Sequence, residues 1–109
     1  MGKYQVTRTS NGQFRWTLKA SNGEKLLTSE TYTTKQNCLA GIASSKISVA
    51  DKNFDKRTSV AGQPYFNQIA NNNQVLGTSE MYSSTAARDV GIASVKSNAP
   101  TATIEDLTN

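Results

Sequence analysis

Leu26-Leu27-Thr28-Ser29-Glu30-Thr31-Tyr32 returns fifty residues later as Leu76-Gly77-Thr78-Ser79-Glu80-Met81-Tyr82. The same offset carries Gly41-Ile42-Ala43-Ser44 onto Gly91-Ile92-Ala93-Ser94, Asn22 onto Asn72 and Lys46 onto Lys96. Between Gly12 and Lys46, 14 of 35 positions are identical at that offset, without a gap. A register kept without insertions implies two halves of like fold. A chain of 109 residues buries enough surface for one core and not two, so the repeats are expected to share it.

Within each repeat the period of polarity is first 2 and then 3.6. Tyr4 to Thr9 alternates and is rich in β-branched residues; Ser10-Asn11-Gly12 follows as a turn. Phe14, Trp16, Leu18 and Ala20 fall on one face of a second strand, and Arg15, Thr17 and Lys19 on the other. One face is core and one is wet, the mark of an antiparallel sheet covered on one side. Asn22-Gly23 is a hairpin signal, and Glu24 to Thr28 returns as a third strand. A helix is predicted from Thr34 to about Ser48, with Thr33 as N-cap and Gln36 completing a capping box. Cys38, Leu39, Ile42, Ser45 and Val49 lie along its inner side. Gly41 and Gly91 sit mid-helix, at a cost of about 1 kcal/mol each relative to Ala, which points to close packing against a bulky neighbour such as Trp16.

The second copy repeats the plan with strands at 53–59, 64–70 and 74–78 and a helix from about Ser84 to Asn98. Residues 102–107 then fall in register with 53–57, Ile104 matching Phe54. This leftover strand is expected beside the opposite repeat, where it removes an open edge. The expected organisation is a single domain over 1–109, with repeats at 1–52 and 53–102 and a terminal strand at 102–108. Two positions break the pattern. Gln68 stands on the core face where the first repeat has Leu18, which suggests a bulge or a place near the sheet edge. Asn73 replaces Gly23 in the hairpin and is expected to keep the left-handed turn.

Composition limits function. The chain has no histidine, so it lacks the commonest metal ligand and the side chain that titrates near neutrality. Cys38 is its one cysteine, which rules out an internal disulfide, suits a reducing compartment and reads as a buried, inert thiol. No serine has a histidine to serve as base, and Glu105-Asp106, adjacent on a strand, point to opposite faces. No stretch is apolar enough for a signal peptide or a membrane span, and the expected site is the cytoplasm. The net charge of +4 gathers in the first 52 residues, so a polyanion, if bound, would meet that half.

Phe14-Arg15-Trp16-Thr17-Leu18-Lys19-Ala20-Ser21-Asn22-Gly23, the two Ser-Glu-x-Tyr stretches, the two Gly-Ile-Ala-Ser stretches, Tyr65-Phe66-Asn67 and the run Met81 to Asp89 together resemble the YegP-like family of small bacterial proteins. The resemblance implies an α+β fold of two βββα repeats plus a terminal strand. It implies one antiparallel sheet with exchanged strands, both helices on one face, and a monomer with an internal pseudo-twofold. Single-repeat members are expected to build the same unit as dimers. It brings no catalytic residues. Ser29, Glu30 and Tyr32 with their copies could line a shared pocket, but Glu30 before a helix N-terminus and Tyr32 as an anchor beside the cap also have structural roles.

The surface that invites a functional hypothesis is the uncovered sheet face, with Arg15, Thr17 and Lys19 from the first repeat and Tyr65 and Asn67 from the second. The expected function is a non-enzymatic binding or interaction module, its partner left open with a protein among the candidates, and no cofactor or metal. Weak binding of single-stranded nucleic acid through that face is the alternative.

Overall fold

The computed structural model describes residues 2–108; residues 1 and 109, the outer ends of the expected domain, lie outside that range. Three strands, β1 (Lys3–Arg8), β2 (Phe14–Lys19) and β3 (Lys25–Ser29), precede helix α1 (Lys35–Ile47). The second copy gives β4 (Phe54–Thr58), β5 (Pro64–Ile69), β6 (Val75–Thr78) and α2 (Thr85–Asn98), and β7 (Thr103–Asp106) ends the order. All seven strands form one sheet in the order β4-β5-β6-β3-β2-β1-β7. The two meanders meet at the centre, where β3 and β6 pair antiparallel through Thr28 with Thr78 and Ser29 with Gly77.

The fold class is the expected one, with a difference at one edge. β7 lies beside β1, in the opposite repeat, but parallel to it, Ile104 facing Tyr4 and Asp106 facing Val6. The sheet is therefore mixed. The direction follows from the seam: β7 runs antiparallel to β6, the strand before α2, and β6 itself runs opposite to β3 and β1, so β7 lies parallel to β1.

The turns follow the chemistry of their residues. Asn73 adopts φ 69°, the left-handed conformation that Gly23 takes at φ 85° in the first copy. Each helix starts at a hydroxyl cap. Thr34, one residue later than expected, accepts from the Asn37 amide at 3.0 Å, and Ser84 accepts from the Ala87 amide at 3.0 Å. Gln36 takes no part in a capping box because the cap is at 34 rather than 33.

One core lies between the sheet and the two helices. Tyr4, Val6, Trp16, Leu18, Leu27, Cys38, Ile42, Phe66 and Val95 are fully buried there. Leu39, expected inside, is exposed instead; Gly41 takes the inward position on that turn of α1. The mid-helix glycines are explained by the tyrosines of Ser-Glu-x-Tyr. A Cβ on Gly41 would meet the Tyr32 hydroxyl at 2.3 Å, and one on Gly91 would meet that of Tyr82 at 2.2 Å. Trp16 is the second neighbour of Gly41, its Nε1 3.1 Å from that Cβ position.

β5 carries the expected bulge at Gln68, but the bulge does not by itself account for a buried glutamine. The register does shift between Gln68 and Ile69, but it shifts equally between Leu18 and Lys19. Gln68 is fully buried in β5 and fully bonded. Its amide nitrogen donates to Ser48 O at 2.8 Å and to Ser45 O at 3.0 Å, the latter carbonyl shared with the Ser48 amide at the end of α1. Its oxygen accepts from Ser45 Oγ at 2.6 Å. Ser45 has then spent its proton, so Tyr4 donates to Ser45 Oγ across 2.8 Å.

Candidate functional site: the open sheet face

Both helices pack on one side of the sheet; among the described residues nothing covers the other. Burial and register place the expected residues on that open side. Arg15 is exposed, and Thr17, Lys19, Tyr65 and Asn67 are half-buried between neighbouring strands. Trp16 and Leu18, which alternate with them, are fully buried.

The strand registers bring Thr17 and Asn67 into one row that crosses the whole sheet. Reading from β7 to β4, Glu105 faces Gln5, Gln5 faces Thr17, Thr17 faces Thr28, Thr28 faces Thr78, Thr78 faces Asn67 and Asn67 faces Asp55. Thr78 Oγ1 donates to Asn67 Oδ1 at 2.8 Å, and Gln5 Nε2 donates to Glu105 Oε1 at 2.7 Å. The ends of the row carry acids already engaged. The Gln5 amide, and after it the Lys3 ammonium, hold Glu105 below the usual carboxylate range. Asp55 pairs with Arg57 at 2.7 Å. Arg15 and Lys19 form no ion pair with any described residue. The face thus offers hydroxyl and amide groups in its middle and, over the first repeat, two cations outside any ion pair, Lys19 still acting on Glu105 through its charge.

Gln5, Thr28 and Thr78 were missed by sequence reasoning. The alternation of Lys3 to Arg8 already turned Gln5 outward, but Thr28 and Thr78 join the row only through the β3–β6 pairing, which no single repeat encodes.

The Ser-Glu-x-Tyr side chains do not converge on one pocket. Ser29 Oγ accepts from the Trp16 amide at 2.9 Å and donates to Glu30 O at 2.7 Å. Ser79 does the same with the Phe66 amide and Glu80 O. These hydroxyls tie neighbouring backbone together and have no free proton to offer a substrate. Glu30 and Glu80 are exposed. Tyr32 and Tyr82 line two separate clefts, one with Asn72 and Gln74, the other with Asn22 and Glu24. Burial raises the pKa of both phenols. The Trp16 indole N–H lies near the Tyr32 hydroxyl without meeting hydrogen-bond geometry, close enough to hold back part of that rise.

Cys38 is buried and its thiol is pushed up to about 11 by that burial, the charge of Asp106 adding to it. Tyr4 is pushed up to about 12 by burial, against the pull of its bond to Ser45. Among the described residues no three of Cys, Asp and Glu gather as metal ligands would.

Sheet, paired repeats and open face define a class: a tandem βββα protein with one helix-covered and one bare sheet surface. The family profile of a domain of unknown function, DUF1508, matches residues 9–54 and again 59–106. A UPF0339 protein of Shewanella oneidensis is 50% identical over 108 residues, covering 98% of both chains. The UPF0339 protein YegP of Escherichia coli K12 is 44% identical over the same length, again 98% of both. Solution NMR structures of these two kinds of protein superpose closely. The Shewanella structure gives a TM-score of 0.92 at 49% identity, covering 98% of this chain and 92% of that one. The Escherichia coli YegP structure gives 0.93 at 42%, covering 99% and 94%. The chain belongs to the DUF1508 family, in the two-copy form of the UPF0339 or YegP-like proteins.

Proposed function

We propose that this chain is a non-enzymatic binding module that meets a protein partner through its open sheet face. The observation that carries this reading is the row Gln5, Thr17, Thr28, Thr78 and Asn67, which presents directional donors and acceptors across the sheet on a surface no helix covers. Several features speak against catalysis. The chain has no histidine, its two repeated serines are bonded to backbone, and its thiol is buried with a raised pKa. The cytoplasm is the proposed compartment, because a lone reduced cysteine fits it. No helix among the described residues is long and apolar enough to cross a membrane.

A second reading, single-stranded nucleic acid, is favoured by one observation: Arg15 and Lys19 stand outside the ion pairs of the described residues, and Tyr65 offers a ring on the same face.

The test is a photo-reactive residue at Thr17, with an exposed helix position, Ala43, as control. Protein adducts at 17 and not at 43 support the main reading. Adducts at 17 that disappear with nuclease support the second. Equal labelling at both positions overturns the assignment of the face.

A further inference from the structure

The pseudo-twofold makes β4 the counterpart of β1 and α2 the counterpart of α1, but among the described residues only β1 has an outer neighbour. β7 adds to β1 through backbone bonds such as Leu107 N to Val6 O at 2.9 Å. Its acids pair with the first repeat on both sides of the sheet: Glu105 with Lys3 at 3.4 Å, and Asp106 with Lys35 of α1 at 2.9 Å. Among the described residues, the matching position outside β4 has no strand. A cleft of about 520 Å³ lies there, between the β4 edge and α2, lined by Asp51, Phe54, Lys56, Asp89, Ile92 and Lys96.

Equivalent residues report the missing cover. Tyr4 and Ile42 are fully buried, whereas Phe54 and Ile92 remain 8% and 7% exposed. Val6 is fully buried, while its counterpart Lys56 is exposed and reaches Asp89 of α2 at 3.4 Å. Lys96 spans the cleft from the other end, paired with Asp51 and 5.7 Å from the centre of the Phe54 ring.

We propose that this cleft is a strand-addition site for an extended segment of a partner polypeptide, laid parallel to β4 as β7 is laid on β1. The filled groove supplies the backbone geometry and β4 supplies the side-chain code. In the filled groove Ile104, Glu105 and Asp106 stand opposite Tyr4, Gln5 and Val6. Opposite Phe54, Asp55 and Lys56 the complementary sequence is an apolar residue, then a basic one, then an acidic one. The acid would take Lys56 from Asp89, on the helix side; the base would take Asp55 from Arg57, on the open side. The chain's own 104–106 has an acid at the second place and is mismatched against Asp55. Three charges in a row on β4 thus select among strands rather than welcoming any exposed edge.

The probe is a synthetic peptide of residues 101–108 carrying Glu105→Lys, titrated into the isotope-labelled full-length protein and followed by amide NMR. Shifts confined to 54–58 and to the α2 face at Ile92 and Lys96 are expected, with the unaltered 101–108 peptide binding about fivefold more weakly. Lys56→Glu, at an exposed position and checked for fold by circular dichroism, should weaken both peptides, which share Asp106, and bind instead a peptide that carries Asp106→Lys together with Glu105→Lys. Failure of every peptide to shift β4 at millimolar concentration overturns the site and identifies the charges as an edge guard. Equal affinity for all the peptides, or shifts at β1 in place of β4, overturns it as well. Because Thr17 and Lys19 lie elsewhere, loss of this site leaves the open-face reading intact, and the reverse.

Discussion

Ser45 Oγ donates to Gln68 Oε1 at 2.6 Å, from the helix of one repeat to the strand of the other. With Tyr4 behind Ser45, these three residues form a buried polar chain. Their counterparts at the fifty-residue offset are Phe54, Val95 and Leu18, all apolar and all buried. The break in the repeat at Gln68 is therefore one third of a coordinated exchange. One half of the core uses hydrogen bonds where the other half uses packing.

Gln68→Leu alone should destabilise the protein by about 1–3 kcal/mol, because it removes the acceptor of the Ser45 hydroxyl proton and the side-chain donor to the Ser48 carbonyl. Adding Ser45→Val and Tyr4→Phe, which copies the apolar half, should recover most of that loss. Urea unfolding of the single and triple variants measures both. If Gln68→Leu equals wild type, the chain of bonds is not what retains Gln68.

Gly91→Ala tests the other repeated feature. In an exposed helix the change would gain about 1 kcal/mol. Here the new methyl would lie 2.2 Å from the Tyr82 hydroxyl, so a loss of about 1–3 kcal/mol is expected. In a Tyr82→Ala background the same change should turn stabilising. A cycle of the four proteins by thermal or urea unfolding gives the sign directly.

Most of the architecture was legible because both periodicities and the fifty-residue offset survive in local sequence. Trp16 and Leu18 went to the core and Arg15 to the open face as alternation demanded. What was not legible is whatever one repeat does to the other. Gln68 looked like an error because Leu18 was its only visible standard; its partner Ser45 lies on a different element of the other half. Gly77, where the first copy has Leu27, makes room for Trp16, whose ring edge is 3.2 Å from a Cβ built there. The larger Trp16 against Phe66 is thus balanced by the smaller Gly77. The polar row had the same difficulty, since half its members meet the others only across the β3–β6 seam. The parallel sense of β7 follows from that same seam, which no local pattern records.

Trp16→Ala should cost about 3–5 kcal/mol, because the ring is fully buried, packs edge-on against Tyr4 at 5.2 Å between centres, and reaches over the seam to Gly77. A urea midpoint near that of wild type would show the ring to be peripheral.

Acid should loosen the β7 edge first. The Thr108 hydroxyl, followed by the Lys35 ammonium, holds Asp106 down to about 2 from an ordinary 3.8. A lowered folded-state value means the unfolded chain binds the proton more readily between those limits. The associated stability is present above about pH 4 and is lost as the pH falls towards 2. Amide exchange of residues 103–107 should accelerate across that window, and Asp106→Asn should flatten the dependence. An unchanged profile in the variant would assign the acid sensitivity to another carboxylate.

The last prediction concerns the two halves as separate chains. Residues 1–52 carry Tyr4 and Ser45 but not Gln68; residues 53–109 carry Gln68 but neither Ser45 nor Tyr4. A pair of first halves would set Leu18 of one copy against the Ser45 hydroxyl of the other. A pair of second halves would bury Gln68 against Val95. Each mismatch strands polar groups in the core, at about 1–3 kcal/mol per unsatisfied group, and each homodimer has two of them. The mixed pair satisfies all. Each half alone should be unfolded at low concentration, because its apolar sheet face and seam edge are open. Mixed in equal amounts, the halves should assemble into a one-to-one complex in preference to either homodimer. The intact chain should be a folded monomer, since linkage makes the same assembly intramolecular at an effective concentration on the order of millimolar. Sedimentation and circular dichroism across a dilution series separate these cases. A half that folds stably as a monomer, or homodimers as tight as the mixed pair, would show that the polar chain does not direct the pairing of the repeats.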